Sequence, residues 1–174
     1  MDVYDAIKER HSVRRYKDKD ISHEDLTKIL DAGRKIQSAG NINTLRFIVV
    51  NDKEKKKELV KASHHQNFIA NAPVTIIVCS DMKRIKQAYG DDSFAYSAQQ
   101  AGASVQNMAL EAVNLKLASC SVQGFKEEKI KKIFDIPDEV RVELLLIIGY
   151  SDAIKAERRK YELDSIVHVN EWKD

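Results

Sequence analysis

A chain of 174 residues has room for one buried core, and its 29 Lys and Arg against 27 Asp and Glu leave a formal charge of only +2, so the bulk electrostatics call for no nucleic-acid partner and any anion site must be local. The first nine residues are charged and lack an apolar h-region, and the longest apolar run, Leu144 to Ile148, is far too short for a bilayer; no signal peptide and no membrane partner are expected, and the chain is read as cytoplasmic. No linker, repeat or low-complexity tract divides it, so a single domain over 1–174 is expected.

In chain order, a short amphipathic opening (Val3, Tyr4, Ile7) leads to Arg10-His11-Ser12-Val13-Arg14. In an extended segment alternate side chains share a face, which would converge Arg10, Ser12 and Arg14 on one spot suited to a phosphate. The same residues also fit a solvated basic face at a helix end, favoured by the helix dipole. Ser22-His23-Glu24-Asp25 resembles a capping box, and Leu26, Ile29, Leu30, Gly33 and Ile36 predict a helix from about Glu24 to Ile36. A loop of small residues and amides, Gln37 to Thr44, then precedes a strand, Leu45 to Val50, and is a usual setting for ligand contacts.

Lys53 to Ala62 reads as a charged helix with a solvated face, since its lysines alternate with Glu54 and Glu58. Asn71-Ala72-Pro73 breaks the chain before a second strand, Val74 to Cys79, apolar on both faces and therefore central. From Asp81 to Asp92 the sequence predicts irregular structure with a turn at Tyr89 to Asp92, followed by a long helix on which Ala101, Val105, Met108, Ala112 and Leu115 form a stripe. Its small flank, Gly102, Ala103 and Ala109, suits either a subunit interface or burial within the chain. A third strand, Leu117 to Val122, runs into Gln123-Gly124-Phe125 and a short helix, and Val140 to Tyr150 supplies a fourth. The tail, Ser151 to Asp174, carries Arg158-Arg159-Lys160 and scattered apolar residues, and reads as an arm that docks on a surface. Cys79 and Cys120 lack CxxC spacing and are expected as buried, reduced thiols; the histidines fall in unrelated segments or, at His64 and His65, on adjacent residues, so no metal site is expected.

Together these segments resemble the nitroreductase family of FMN-dependent oxidoreductases from about Asp2 to Trp172. Glu9 to Tyr16 looks like that family's Arg-x-Ser-x-Arg/Lys signature, and Ser38-Ala39-Gly40-Asn41-Ile42-Asn43 like its Pro-Ser-x-x-Asn-x-Gln-Pro loop. Asn71-Ala72-Pro73-Val74 resembles the Ala-Pro lead-in to a strand, Ala118 to Phe125 the segment along the flavin edge, and Arg158-Arg159-Lys160 with Leu163, Ile166, Val167 and His168 the tail's basic pair and Leu-x-x-Ile-Val-His.

The resemblance implies an α+β fold with a central, mostly antiparallel sheet of four or five strands flanked by helices, and a C-terminal arm exchanged across a homodimer. It implies that FMN is held by Arg10, Ser12 and Arg14 at its phosphate with Arg158 and Lys160, with His11 alongside. Ser38, Ala39 and Asn41 would reach the flavin of the other subunit, and the Gln123 and Gly124 backbone would lie near N5. Electrons would pass from NADH or NADPH through N5 to a small electron-poor acceptor, nitroaromatic or quinone, by a ping-pong mechanism, with no catalytic side chain of the protein's own. Tyr89, Phe94 and Tyr96 are the candidate substrate cover, ordinary packing being the alternative. The chain departs from the family pattern at Gln37, at Asn43-Thr44-Leu45 and at Gln100, where Asp is common, and it lacks the longer insertions of larger members. A non-catalytic FMN-binding or storage protein is the alternative function; a nucleic-acid module using the same cations is opposed by the near-neutral charge.

Overall fold

The computed structural model describes residues 1–155 and 160–172. Its centre is a sheet of β1 (Leu45–Val50), β2 (Val74–Asp81), β3 (Ala118–Val122) and β4 (Val140–Gly149), in the order β1-β2-β4-β3 with every pairing antiparallel. The parallel component is small: Ser12 bridges Ser119 on the free edge of β3, and the Val13 N–H donates to the Ser119 carbonyl at 2.9 Å.

The helices are α1 (Val3–Glu9), α2 (His23–Arg34), α3 (Lys53–Ala62), α4 (Phe68–Asn71), α5 (Lys83–Tyr89), α6 (Ser93–Asn114) and α7 (Glu127–Phe134). Side chains alternate along β2 and β4, so the sheet feeds two cores. Ile77, Cys79, Leu145 and Ile147 pack with Leu59 of α3 and Ile130 of α7, while Ile76, Val78, Leu144 and Leu146 pack with Ile29 of α2 and Met108 of α6. Each such fully buried aliphatic contributes roughly 1.5–3 kcal/mol. The alternation slips once. Val78 pairs with Leu144 but Cys79 with Val142, so Glu143 is the extra residue of a β-bulge that keeps Val142 and Leu144 in their separate cores.

Ser22 caps α2 as expected, its Oγ accepting from the Asp25 N–H at 3.0 Å. The helix ends at Arg34, two residues short of the predicted Ile36, because the Lys35 N–H turns back to Ala32. The irregular stretch expected over 81–92 instead contains α5: Met82 and Ile85, three apart, are buried behind a charged outer face. The anticipated turn follows as a short 3-10 segment, Gly90–Asp92. The brief α4 was not anticipated, although the chain does break at Ala72-Pro73. No helix among the described residues is long and apolar enough to cross a membrane.

Both cysteines are buried. Burial first, then the carboxylates of Glu143 and Glu127, push the Cys79 thiol from its ordinary value near 9 up to about 12. The sign follows from linkage: between pH 9 and 12 the unfolded chain gives up this proton and the folded chain keeps it, so the stabilisation present below pH 9 drains away as pH rises. Urea unfolding from pH 8.5 upward is expected to give a smaller alkaline loss of stability for Cys79→Ala than for the unmodified chain.

Candidate functional site

Arg10 ends α1, its N–H donating to the Ala6 carbonyl, so the guanidinium sits where a helix terminus favours positive charge. From there the chain extends along β3. Val13 faces inward and is buried, whereas Arg14 and Arg15 remain exposed. The segment is pinned by Tyr16, whose hydroxyl donates to the Val13 carbonyl at 2.7 Å and to the Ile147 carbonyl at 3.4 Å. Burial raises the Tyr16 hydroxyl pKa, Cys120 adds to the effect and Arg14 opposes it, so the phenol stays a proton donor across the physiological range.

Arg10, Ser12 and Lys160 line one cavity of about 430 Å³ together with Lys8, His11, Gln106 and Lys155. Lys155 Nζ, from the tail, donates to the Lys8 carbonyl and so ties the tail to α1. Among the described residues no carboxylate lines the cavity. Lys8 pairs with Asp5 at 2.8 Å, but Arg10 and Lys160 form no ion pair among the described residues. The His11 Nδ1–H donates to the Glu9 carbonyl at 2.8 Å, which leaves Nε2 as an acceptor in the neutral ring, and that atom is buried without a partner among the described residues. Arg14 lines a neighbouring hollow of about 310 Å³ with His11, Ser12 and Ile154. Its guanidinium lies 5.8 Å from the Phe68 ring centre. Arg158, the other implied tail cation, lies outside the described residues.

The Phe68 side of Arg14 leads to Gln123 and Gly124, which leave β3 exposed. The 63–67 turn braces them: the Gln66 amide Nε2 donates to the Gly124 carbonyl at 3.2 Å and to the Ser63 carbonyl at 3.0 Å, and the Lys126 N–H donates to the Ala62 carbonyl at 2.8 Å. Within that turn His64 and His65 both take left-handed backbone, at φ 52° and 57°. Each costs about 1–2 kcal/mol in a residue that is not glycine.

The loop before β1 lies at the opposite edge of the sheet. β1 and β3 are the two edges of the sheet, roughly 14 Å apart at strand spacing. Gly40 and Asn41 are left-handed and exposed, and a Cβ on Gly40 would lie 2.5 Å from the Tyr89 Oη. Tyr89 in turn meets Tyr96 edge to face at 5.0 Å, so one candidate cover aromatic stands against the Ser38–Asn41 loop and a second packs on the first. Phe94 sits elsewhere, between Lys86 Nζ and the Arg141 guanidinium, each 5.1 Å from its ring centre. Gln100 fixes the loop from below: Oε1 accepts from the Thr44 N–H at 3.1 Å and the Thr44 hydroxyl at 3.2 Å, and Nε2 donates to the Ile42 carbonyl at 3.1 Å.

The Nitroreductase family model matches residues 7–68 and 62–150. A protein of Archaeoglobus fulgidus, provisionally named NADH dehydrogenase/NAD(P)H nitroreductase, is 33% identical over 172 residues, covering 94% of each chain. The chain belongs to the nitroreductase family. A Bacillus subtilis relative named FMN reductase [NAD(P)H] is 26% identical over 182 residues, covering 96% of this chain and 73% of its own. Among solved structures, Bacillus megaterium NfrA2 superimposes with a TM-score of 0.92 at 26% identity, over 99% of this chain and 76% of that one.

In this nitroreductase-family chain four contributors to the corner around Arg10 and Gly124 carried no sequence signal of their own: Lys155, Gln106, Gln66 and His64. Lys155 and Gln106 lie far from the signature in sequence and reach it only through the fold. Gln66 and His64 sit in a turn that no apolar periodicity marks.

Proposed function

We propose that this nitroreductase-family chain is an NAD(P)H-dependent oxidoreductase that holds FMN with its phosphate at the Arg10–Lys160 cavity and its reactive ring toward Gly124. The observation that carries the reading is that cavity of about 430 Å³, where Arg10 and Lys160, from the two ends of the chain, meet a serine hydroxyl and, among the described residues, neither an ion-pair partner nor a lining carboxylate. A phosphate dianion is the natural occupant of such a donor set, since charge-assisted bonds to it are of the strong class. The buried, unpartnered Nε2 of His11 supports a ligand lying alongside the same segment. Arg10, Ser12 and Lys160 bind the phosphate; Arg14, turned toward Phe68, is left to neutralise negative charge nearer the ring. Gln66 holds the Gly124 carbonyl, which leaves the neighbouring backbone oriented toward the ring edge. When bound, FMN supplies hydride exchange, taking electrons from NADH or NADPH and passing them to a small electron-poor acceptor such as a nitroaromatic or quinone in alternating half-reactions.

The same reading includes a homodimer, because Ser38, Ala39 and Asn41 stand at the opposite edge of the sheet from Arg10 and Gly124 and meet a cofactor there only through a second copy. Two features support it. The exposed face of α6 bears no charge from Ser93 to Leu110 and carries Gly102, whose missing side chain nothing within 4 Å requires. The tail leaves Tyr161 83% and Trp172 78% exposed, apolar surface suited to docking on a partner. Gly102→Leu is expected to convert a dimer to monomer in sedimentation velocity, with FMN affinity falling as well. An unchanged dimer would remove α6 from the interface.

The deciding experiment is the absorption spectrum of the purified protein reconstituted with FMN, titrated anaerobically with NADH and NADPH. Bleaching of the yellow band supports the enzyme. A band that persists with both donors identifies a carrier that binds FMN without turnover, and failure to retain FMN removes the cofactor assignment.

A further inference from the structure

We propose that His64 forms one wall of the acceptor site, its imidazole donating a hydrogen bond to the oxygen of a planar electron-poor acceptor held over Gly124; this rests on the FMN reading above. His64 Cδ2 lies 3.7 Å from where a Gly124 Cβ would be, in ordinary van der Waals reach of the segment placed at the reactive ring. The ring is exposed and its nitrogens have no partner among the described residues. The Gln66 amide nitrogen beside it is committed, donating to the Ser63 and Gly124 carbonyls.

The position is fixed as well as free. The Ser63 and His65 N–H groups both donate to the Val60 carbonyl, and the Gln66 N–H to the Ser63 carbonyl, so the turn cannot swing away without losing three backbone bonds. His64 is also held at φ 52°, where glycine would relieve the backbone. An exposed ring on unfavourable left-handed backbone, beside Gly124 and without a polar partner among the described residues, has the marks of a contact made with something outside the chain.

The test compares unmodified holoprotein with His64→Gly and His64→Asn. The probe is benzoate, a planar carboxylate that accepts hydrogen bonds and does not turn over, titrated by its perturbation of the oxidised FMN spectrum. In His64→Gly, which relieves the backbone and so protects folding, the benzoate Kd is expected to rise about tenfold. The FMN Kd is expected to stay within about twofold, a change well below the worth of one hydrogen bond. His64→Asn tolerates the left-handed backbone and keeps a donor, and is expected to recover about threefold of the loss. An unchanged benzoate Kd, absent benzoate binding by the unmodified holoprotein, an FMN Kd that rises as much as the benzoate Kd, or no recovery by asparagine overturns the assignment. Failure of the FMN reading looks different: it appears in the unmodified protein as no FMN retained or no bleaching by NADH and NADPH, and it takes both proposals down.

Discussion

Replacing Arg10 with alanine is expected to raise the FMN dissociation constant about thirty- to hundredfold, read from the quenching of FMN fluorescence on binding. A bond to a charged group is worth about 2–3 kcal/mol, and each 1.4 kcal/mol is tenfold in affinity. Arg10 spends none of its charge on a carboxylate among the described residues, so the whole interaction is available to a phosphate. Riboflavin separates the two ends of the site. Its weaker binding should be nearly unaffected by Arg10→Ala but weakened by Arg14→Ala, if Arg14 acts near the ring; equal effects on FMN and riboflavin from Arg10→Ala would place that residue away from the phosphate.

Gly149→Ala is expected to be the most damaging small substitution in the sheet. The added Cβ would lie 2.6 Å from Pro73 Cδ and 2.9 Å from Tyr16 Cδ1, two rings that cannot bend aside. Overpacking of this kind costs about 1–3 kcal/mol, which at this chain length lowers the melting temperature by roughly 2–12 °C. The effect reaches the site. Tyr16 must move, and its hydroxyl holds the carbonyl of Val13 between Ser12 and Arg14, so FMN affinity falls together with stability. A Gly149→Ala protein that melts with the unmodified one would refute the packing argument.

What the sequence made legible follows the physics that acts locally. Apolar runs marked β1, β2, β3 and β4 to within two residues, and the Ser22 cap and its stripe marked α2. Charged α5 escaped, because two buried residues, Met82 and Ile85, are too few to set a period against a background of Lys, Arg and Gln. The likeness of Arg10 to Arg14 to a family signature marked the segment, but not that Arg10 and Arg14 line different hollows. That division depends on Phe68 and Lys160, more than fifty residues away in either case, and on an edge position along β3 that no local pattern encodes. Gln100 is similar: a polar residue on an apolar helix face becomes intelligible only once the loop at Ile42 to Thr44 is seen to lean its backbone on it.

The bridge from Ser12 to Ser119 has a consequence beyond binding. β3 is a sheet edge whose free N–H and C=O groups would otherwise template pairing with another chain, and the shield over it is the segment that carries Ser12 and Arg14. A ligand that holds this segment therefore also keeps the edge shut, by mass action on its local opening. Protein stripped of FMN should exchange the Val13 amide faster and aggregate sooner on gentle warming than protein loaded with it, so that cofactor supply governs how long the molecule lasts.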